Sequence, residues 1–294
     1  MNVKLSVVIP TRDSSKTLAE CLRSIQDQNI DQIEIIVSDN LSRDDTCLVA
    51  AKYGARIVKT SPRIDNFFLA PYQRKIGAEY VHGEFIFFAD SDFILVPGLL
   101  RECLASSEEY DALIIPEHSV GTGRWARTKI AERECYVGDD AMEAPRFVSK
   151  RFYGLAGEWP AQAGAFDDWV FRDRLTHSGA RIGRTQRHVL HNEGELRLSR
   201  LLRKKLIMGM STKDVPQMPT REKLRRTSPV RLPSVIRRIL YEHPRLLPTF
   251  LMMKSLESLA FYSGRIVAIN HDHLIEMQQE TSTQVMSDSA QTSL

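Results

Sequence analysis

A largely parallel, doubly wound α/β sheet is the fold class this sequence predicts, on three observations. Short apolar runs rich in β-branched residues recur through the first 115 residues, stretches with helical spacing separate them, and each of the main runs ends in a polar cluster. Apolar strands that do not alternate with polar residues belong to parallel sheets covered by helices on both faces.

Each element can be justified in turn. Leu5–Ile9 is a buried strand ended by Pro10, and Ser14 or Ser15 starts a helix to about Gln28 with Leu18, Cys21, Leu22 and Ile25 on one face. Ile33–Val37 is the next strand and ends at Ser38-Asp39-Asn40. A helix from about Asp44 to Tyr53 follows, capped by Ser42, Asp44 or Asp45 and stopped by Gly54. Arg56–Lys59 is a third strand, and Pro71–Val81 a helix with proline in its first turn. Phe85–Ala89 is a fully apolar strand that stops at Asp90-Ser91-Asp92; a helix over Pro97–Ser106 and a strand over Ala112–Ile115 follow. In such sheets ligands bind at the carboxyl ends of the strands. The clusters Thr11-Arg12-Asp13, Asp39-Asn40 and Asp90-Ser91-Asp92 are therefore expected to converge at one edge.

The second half is less regular. Trp125–Tyr136 and Asp168–His177 read as helices, and Gly154–Gly164 as a Gly/Ala-rich loop. Past Glu195 come basic helices, a Pro- and Thr-containing loop over Ser211–Thr220, and a long apolar helix after Pro248. The Ser/Thr/Gln-rich end is expected to be disordered.

At 294 residues, 43% hydrophobic and 26% charged, the chain has material for one large domain or two smaller ones and is unlike a disordered or collagenous protein. Its net charge of +3 is an average of unlike parts: residues 1–194 carry −4, residues 195–250 carry +10 and residues 251–294 carry −3. The four cysteines are widely spaced, as expected of free thiols in a reducing cytosol. No run reaches the roughly 20 apolar residues that span a bilayer. Leu196–Met210 is a basic amphipathic segment with Leu198, Leu201, Leu202 and Met208 near one side. Together with the Leu-, Phe- and Met-rich stretch Leu251–Ile269, it leads to the expectation of a cytoplasmic protein lying on the anionic inner face of the membrane. No helix-turn-helix, zinc finger or stacking motif is present, so a nucleic-acid partner is not expected.

Asp90-Ser91-Asp92 is the sharpest chemical feature. Two carboxylates at i and i+2 behind an apolar strand can approach one hard cation, or a ribose–diphosphate, from a single loop. A plain surface turn has the same sequence. Asp39 lies several residues ahead of the helix that follows, too far to be its cap. Asp167-Asp168 before Trp169 suits a helix start as well as a site.

Taken together, Val7-Val-Ile-Pro-Thr-Arg-Asp13, Glu34-Ile-Ile-Val-Ser-Asp39, Arg74-Lys-x-Gly77 and Phe87-Phe-Ala-Asp90-Ser-Asp92 resemble the family 2 glycosyltransferases of the GT-A fold. Ala165-Phe-Asp167-Asp168-Trp169 is similar to that family's Glu-Asp-Trp acceptor motif, and Val189-Leu-His191-Asn-Glu-Gly194 to its late histidine segment. The resemblance implies a mixed, largely parallel sheet flanked by helices, with C-terminal amphipathic helices. It implies transfer of a sugar from a nucleoside-diphosphate sugar to a hydroxyl acceptor of the lipid-linked or cell-surface glycan kind, with inversion and with Mn²⁺ or Mg²⁺. By the same resemblance Pro10, Thr11, Asp13, Asp39, Arg74, Lys75, Asp90 and Ser91 would bind the nucleotide sugar. Asp90, Asp92 and His191 would hold the metal, Asp167 and Trp169 would contact the acceptor, and Asp168 would be the general base. The matching organisation is a donor half over residues 1–115, an acceptor half over 116–194, a helical extension over 195–270 and a tail over 271–294. A nucleotidyltransferase would need a Gly-rich phosphate loop near the amino terminus, which Pro10-Thr-Arg-Asp13 does not supply; a non-catalytic nucleotide-sugar or membrane binder of the same descent is the other reading.

Overall fold

The computed structural model describes residues 3–61, 69–140, 142–210 and 228–268. The Ser211–Thr220 loop and the C-terminal tail read from the sequence lie outside these residues.

Seven strands form the main sheet, in the order β3 (Arg56–Lys59), β2 (Ile33–Asp39), β1 (Leu5–Thr11), β4 (Phe85–Phe88), β8 (Pro145–Ser149), β6 (Ala112–Ile114) and β9 (Ile182–Arg184). The first four run parallel, β8 is antiparallel to both of its neighbours, and β6 pairs parallel with β9. The sheet is thus mixed and largely parallel, as expected. Helices α1 (Ser15–Gln26), α2 (Thr46–Lys52), α3 (Ala70–Ala78) and α4 (Leu99–Ser106) follow the strands close to their predicted places. Two apolar clusters sandwich the sheet: Val7, Ile9, Val37 and Phe87 on one face with α1, and Val8, Ile36, Ile86 and Phe88 on the other with Trp159 and Phe171. Alternate residues of β1, β2 and β4 enter opposite cores, which is why these strands read as unbroken apolar runs.

Register places the polar tips together. Thr11 stands opposite Asp39 across β1 and β2, and β1 pairs with β4 through Val8 and Phe88. Helix α3 lies close over this edge because Gly77 has no side chain. A Cβ there would stand 2.6 Å from Val8 Cγ1 and 3.3 Å from Ser38 Cβ.

A second sheet, in the order β5 (Phe93–Leu95), β10 (Val189–Glu195), β7 (Glu117–Thr122), was not legible in the sequence. Its strands are short or polar, since Glu117, Ser119, His191 and Glu193 sit where an alternating strand would carry apolar residues. Helix α5 (Arg124–Glu134) follows β7, and α6 (Lys150–Leu155) follows β8 and occupies the start of the stretch read as loop. Helix α7 (Asp167–His177) begins where the two acids were noted.

The basic segment forms α8 (Leu198–Met210), followed by a helix over Ser228–Glu242 and a final helix over 247–268. These pack on α5 around Ala126, Leu201, Val235, Ile239, Phe250 and Met253. The α8 side carrying Leu198 and Leu201 is thereby used in packing. Two glycines bring α8 and the final helix to near backbone contact: a Cβ on Gly209 would run into the Phe261 carbonyl, and one on Gly264 into the Leu206 carbonyl. No described helix is long and apolar enough to cross a membrane.

An alternating square of charges joins the final helix to α5. Lys129 meets Glu132 at 2.7 Å and Glu257 at 3.2 Å, while Lys254 meets Glu132 at 2.9 Å and Glu257 at 2.7 Å. Against the cost of burial, Lys129 and Lys254 hold Glu132 below its usual range, and Lys129 and Lys205 do the same for Glu257. Acids whose folded pKa is depressed stabilise the fold above their ordinary value of 4.5 and lose that contribution as pH falls below it. Glu257→Gln is expected to destabilise the protein by about 3 kcal/mol at pH 7, because it strands buried cations. In urea unfolding, the difference from the unsubstituted protein is expected to shrink steadily below pH 4.5.

Candidate active site

The floor of the site is built from the ends of β1 and β2. Asp39, almost fully buried, accepts hydrogen bonds from Thr11 Oγ1 at 3.0 Å, from the Ser42 amide at 3.0 Å and from Ser42 Oγ. Ser42 Oγ in turn accepts from the Asp13 amide at 2.9 Å, and Asp13 Oδ1 accepts from the Arg43 amide at 2.7 Å. Asp13 has a φ of 50°, the left-handed conformation that aspartate tolerates better than most residues. The two loops are stitched further by Asp44, which accepts from the amides of Ser15 and Thr46, both at 3.0 Å. Of the three proposed caps for α2, Asp44 supplies the hydrogen bond. Ser14 precedes α1 but makes no side-chain cap, and Asp44 instead reaches across to that helix.

Above this floor two buried arginines bracket the end of β4. Arg74, on α3, donates to Asp90 Oδ1 at 2.5 Å and to Asp167 Oδ2 at 2.7 Å. Trp159 Nε1 donates to the same Asp167 oxygen at 2.7 Å. Arg146, the second residue of β8, donates to Asp90 Oδ2 at 3.4 Å and, through Nε and a terminal nitrogen, to Glu117 Oε1 at 3.1 and 3.0 Å. Its other terminal nitrogen stands 3.5 Å from Asp168 Oδ1. The charges set the protonation. Burial raises the Asp90 pKa, but Arg74 and Arg146 overcome it and hold the group below the usual carboxylate range. Glu117 is likewise drawn down to about 2 despite burial, by Arg146 and His191. Asp167 moves the other way: burial and the adjacent Asp168 push it up, against Arg74 and Trp159.

Asp92 and His191 face each other beside this web, with Oδ2 and Nε2 3.3 Å apart. Two ligands at about 2.1 Å from one ion, at right angles, stand about 3 Å apart, so this pair fits a shared divalent cation. Carboxylate oxygen with imidazole nitrogen suits Mn²⁺ and accommodates Mg²⁺. On the far side of the ring Nδ1 lies 3.6 Å from Glu117 and 3.0 Å from Arg133. Burial disfavours the charged ring, yet Asp92 and Glu117 raise the His191 pKa to about 9, with Arg133 opposing. Among the described residues no three His, Cys, Asp or Glu side chains form a ready-made metal cage.

The residues singled out from the sequence thus occupy distinct places. Thr11, Asp13 and Asp39 form the floor with Pro10 in β1, and Ser91 joins them by donating to Ser14 Oγ at 3.1 Å. Asp90 has a guanidinium at each oxygen, whereas Asp92 and His191 face one another. Arg74 is buried beneath the site. Lys75 points elsewhere on α3 and pairs with Glu158 at 3.1 Å on the surface. Asp167 is buried, Asp168 keeps a side chain 31% exposed, and Trp169 packs near Phe166 with ring centroids 5.3 Å apart. Sequence reasoning missed Arg146, Glu117 and Trp159. The one available signal was a charge inside the apolar run of Pro145-Arg-Phe-Val-Ser149. Lys204, in the basic segment expected at a membrane surface, is exposed on α8 and near enough to Arg133, Glu193, Asp92 and Asp90 to feel their charge.

Arg74 is the only described side chain that hydrogen-bonds both Asp90 and Asp167. Arg74→Met is expected to destabilise the protein by about 3–5 kcal/mol in chemical unfolding, since it strands buried acids. Arg74→Lys, with charge but no planar fork, is expected to recover part of that loss.

Comparison with known proteins agrees with this geometry. Residues 6–166, more than half of the chain, match the family described as glycosyl transferase family 2. The GalNAc(5)-diNAcBac-PP-undecaprenol beta-1,3-glucosyltransferase of Campylobacter jejuni is 34% identical over 112 residues, 36% of this chain and 35% of that protein. The poly(ribitol-phosphate) beta-N-acetylglucosaminyltransferase TarS of Staphylococcus aureus is 30% identical over 118 residues, 38% of this chain and 21% of that one. The chain thus spans about a third or less of the length of these two relatives. Among solved structures, S. aureus TarS 1–349 in complex with UDP-GlcNAc superposes with a TM-score of 0.55 at 15% identity, covering 92% of each chain. The mannosyltransferase PcManGT of Pyrobaculum calidifontis in complex with GDP-Man and Mn²⁺ gives 0.51 at 15% identity, covering 97% of this chain and 83% of that one. At these identities the structural likeness is one of fold, and it is the family match, laid over the strand-end carboxylates just described, that makes the protein a member of glycosyl transferase family 2.

Proposed function

We propose that this protein transfers a sugar from a nucleoside-diphosphate donor to an acceptor hydroxyl, with inversion and with the assistance of Mn²⁺ or Mg²⁺. One observation carries the reading: the cation-sized Asp92–His191 pair and the half-open carboxylate of Asp168 stand on the same sheet edge, joined through Asp90 and Arg146. The bound cation would neutralise charge developing on the diphosphate leaving group. Thr11, Asp13 and Asp39 would shape the nucleotide side, and Asp167 and Trp169 would support the acceptor side from beneath. Asp168 would take the proton from the acceptor hydroxyl as its oxygen attacks the anomeric carbon and the bond to the diphosphate breaks. One such base, with the nearby carboxylates of Asp90, Glu117 and Asp167 tied to arginines, favours a single displacement. Residues 1–115 would then serve the donor and 116–194 the acceptor.

The reading is tested by thermal shift against UDP-, GDP-, CDP- and dTDP-sugars with and without Mn²⁺. At least one sugar nucleotide is expected to stabilise the protein in a metal-dependent way, and the shift is expected to weaken in Asp92→Ala. Asp168→Asn is expected to lose about 10²–10⁴-fold in turnover while still binding the donor. A protein that binds a donor but never turns it over would instead be a non-catalytic relative, and indifference to every donor would sink the proposal.

The acceptor side is proposed to work at an anionic membrane surface, from which a lipid-linked substrate would be drawn. Support comes from Leu240, Tyr241, Leu251 and Met252, exposed at the corner between the last two helices beside the exposed Arg237, Arg238 and Arg245. Apolar tips flanked by arginines suit insertion among anionic headgroups. Sedimentation with vesicles containing phosphatidylglycerol is expected to show binding that falls with salt and drops several-fold in Leu240→Ser/Tyr241→Ser. Equal recovery with neutral vesicles would overturn this assignment.

A further inference from the structure

Arg146 holds more of the site together than any residue the family resemblance points to. It lies within the apolar β8, 4% exposed, with its guanidinium 5.4 Å from the centre of the Phe93 ring. Nε and one terminal nitrogen are committed to Glu117 on β7, and that same terminal nitrogen also reaches Asp90 on the donor side. The remaining terminal nitrogen faces Asp168 Oδ1 at 3.5 Å. Both of these atoms are buried, and neither makes a hydrogen bond among the described residues. Asp168 is 31% exposed and Oδ1 is buried, so Oδ2 is the oxygen left to face an acceptor. At 3.5 Å the two groups form an ion pair without hydrogen-bond geometry, so a small rotation of the carboxylate is enough to make the contact a hydrogen bond.

We propose that Arg146 is a positioning residue that ties the donor-side carboxylate Asp90 to the acceptor-side carboxylate Asp168. The planar fork, anchored by Glu117, fixes the rotation of the Asp168 carboxylate so that Oδ2 is presented to the attacking hydroxyl. A movement of Asp90 on donor binding is passed to Asp168 through one rigid group. Lysine cannot do this, because a single ammonium cannot address three carboxylates from three different elements in one plane. The proposal rests on the reading of Asp168 as the general base.

The test is a double-mutant cycle on turnover. It is measured as nucleoside-diphosphate release with Mn²⁺, water as acceptor, and whichever of the four sugar nucleotides stabilises the protein most. Arg146→Lys is expected to lower kcat about tenfold or more with the donor KM within about twofold, the split produced by losing an interaction that matters in the transition state. Because Arg146 acts through Asp168, Arg146→Lys/Asp168→Asn is expected to be no slower than Asp168→Asn alone. Multiplying losses, or a wild-type kcat in Arg146→Lys, would overturn the proposal while leaving the general base in place. An Asp168→Asn enzyme with full turnover would instead overturn the base assignment, and the proposal with it. Should Arg146→Lys not fold, Arg146→Gln, which keeps a donor toward Glu117, enters the same cycle with the same criteria.

Discussion

Charge balance in a buried place is the constraint on which the rest of this structure depends. Asp90, Glu117, Asp167 and Asp168 share the guanidinium groups of Arg74 and Arg146. Removing such groups from water costs several kcal/mol apiece unless each finds a partner. The fold meets this cost by drawing the partners from five places: α3, the turn after β4, β7, β8 and the start of α7. Those elements cannot separate without stranding a charge. Close approach of α3 over Gly77 keeps Arg74 within reach, and the antiparallel insertion of β8 beside β4 brings Arg146 alongside Asp90.

The same device recurs at the other end of the chain in another role. Lys129, Glu132, Lys254 and Glu257 alternate in sign, and each cation meets both acids. No acid there is left half open as Asp168 is. Around it the apolar cluster of α5, α8 and the last two helices gives the C-terminal part its own packing, and the glycine crossing of α8 with the final helix sets their separation. The +10 carried by residues 195–250 is therefore divided. Lys205 is half-buried beside Lys129, Glu257 and Lys254, while Lys204, Arg237, Arg238 and Arg245 are exposed.

Legibility in the sequence followed burial. Strands β1, β2 and β4 were readable because helices cover both of their faces, so nearly every residue had to be apolar. Their polar ends were readable for the same reason, since a carboxylate directly behind an unbroken apolar run stands out. The second sheet was hidden because its strands are polar: Glu117, Ser119 and His191 stand where apolar residues would have marked the alternation of a strand. Arg146 was hidden differently. A single arginine in a short strand reads as a surface position, and only the three carboxylates brought to it by other elements explain its burial.

Taken alone, the amino-acid order determined the class of fold, the order of the first strands and helices, and which polar residues stand at the ends of those strands. These are local matters, set by hydrophobic period, turn chemistry and residue type within a few positions. Tertiary structure decided how those residues divide the work. It gave Asp90 to two arginines and left Asp92 with His191, buried Asp167 while leaving Asp168 half open, and turned the apolar side of α8 inward. Each of these outcomes depends on pairings between residues tens of positions apart, where electrostatic partners and desolvation are set by what the fold brings together rather than by what the chain writes side by side.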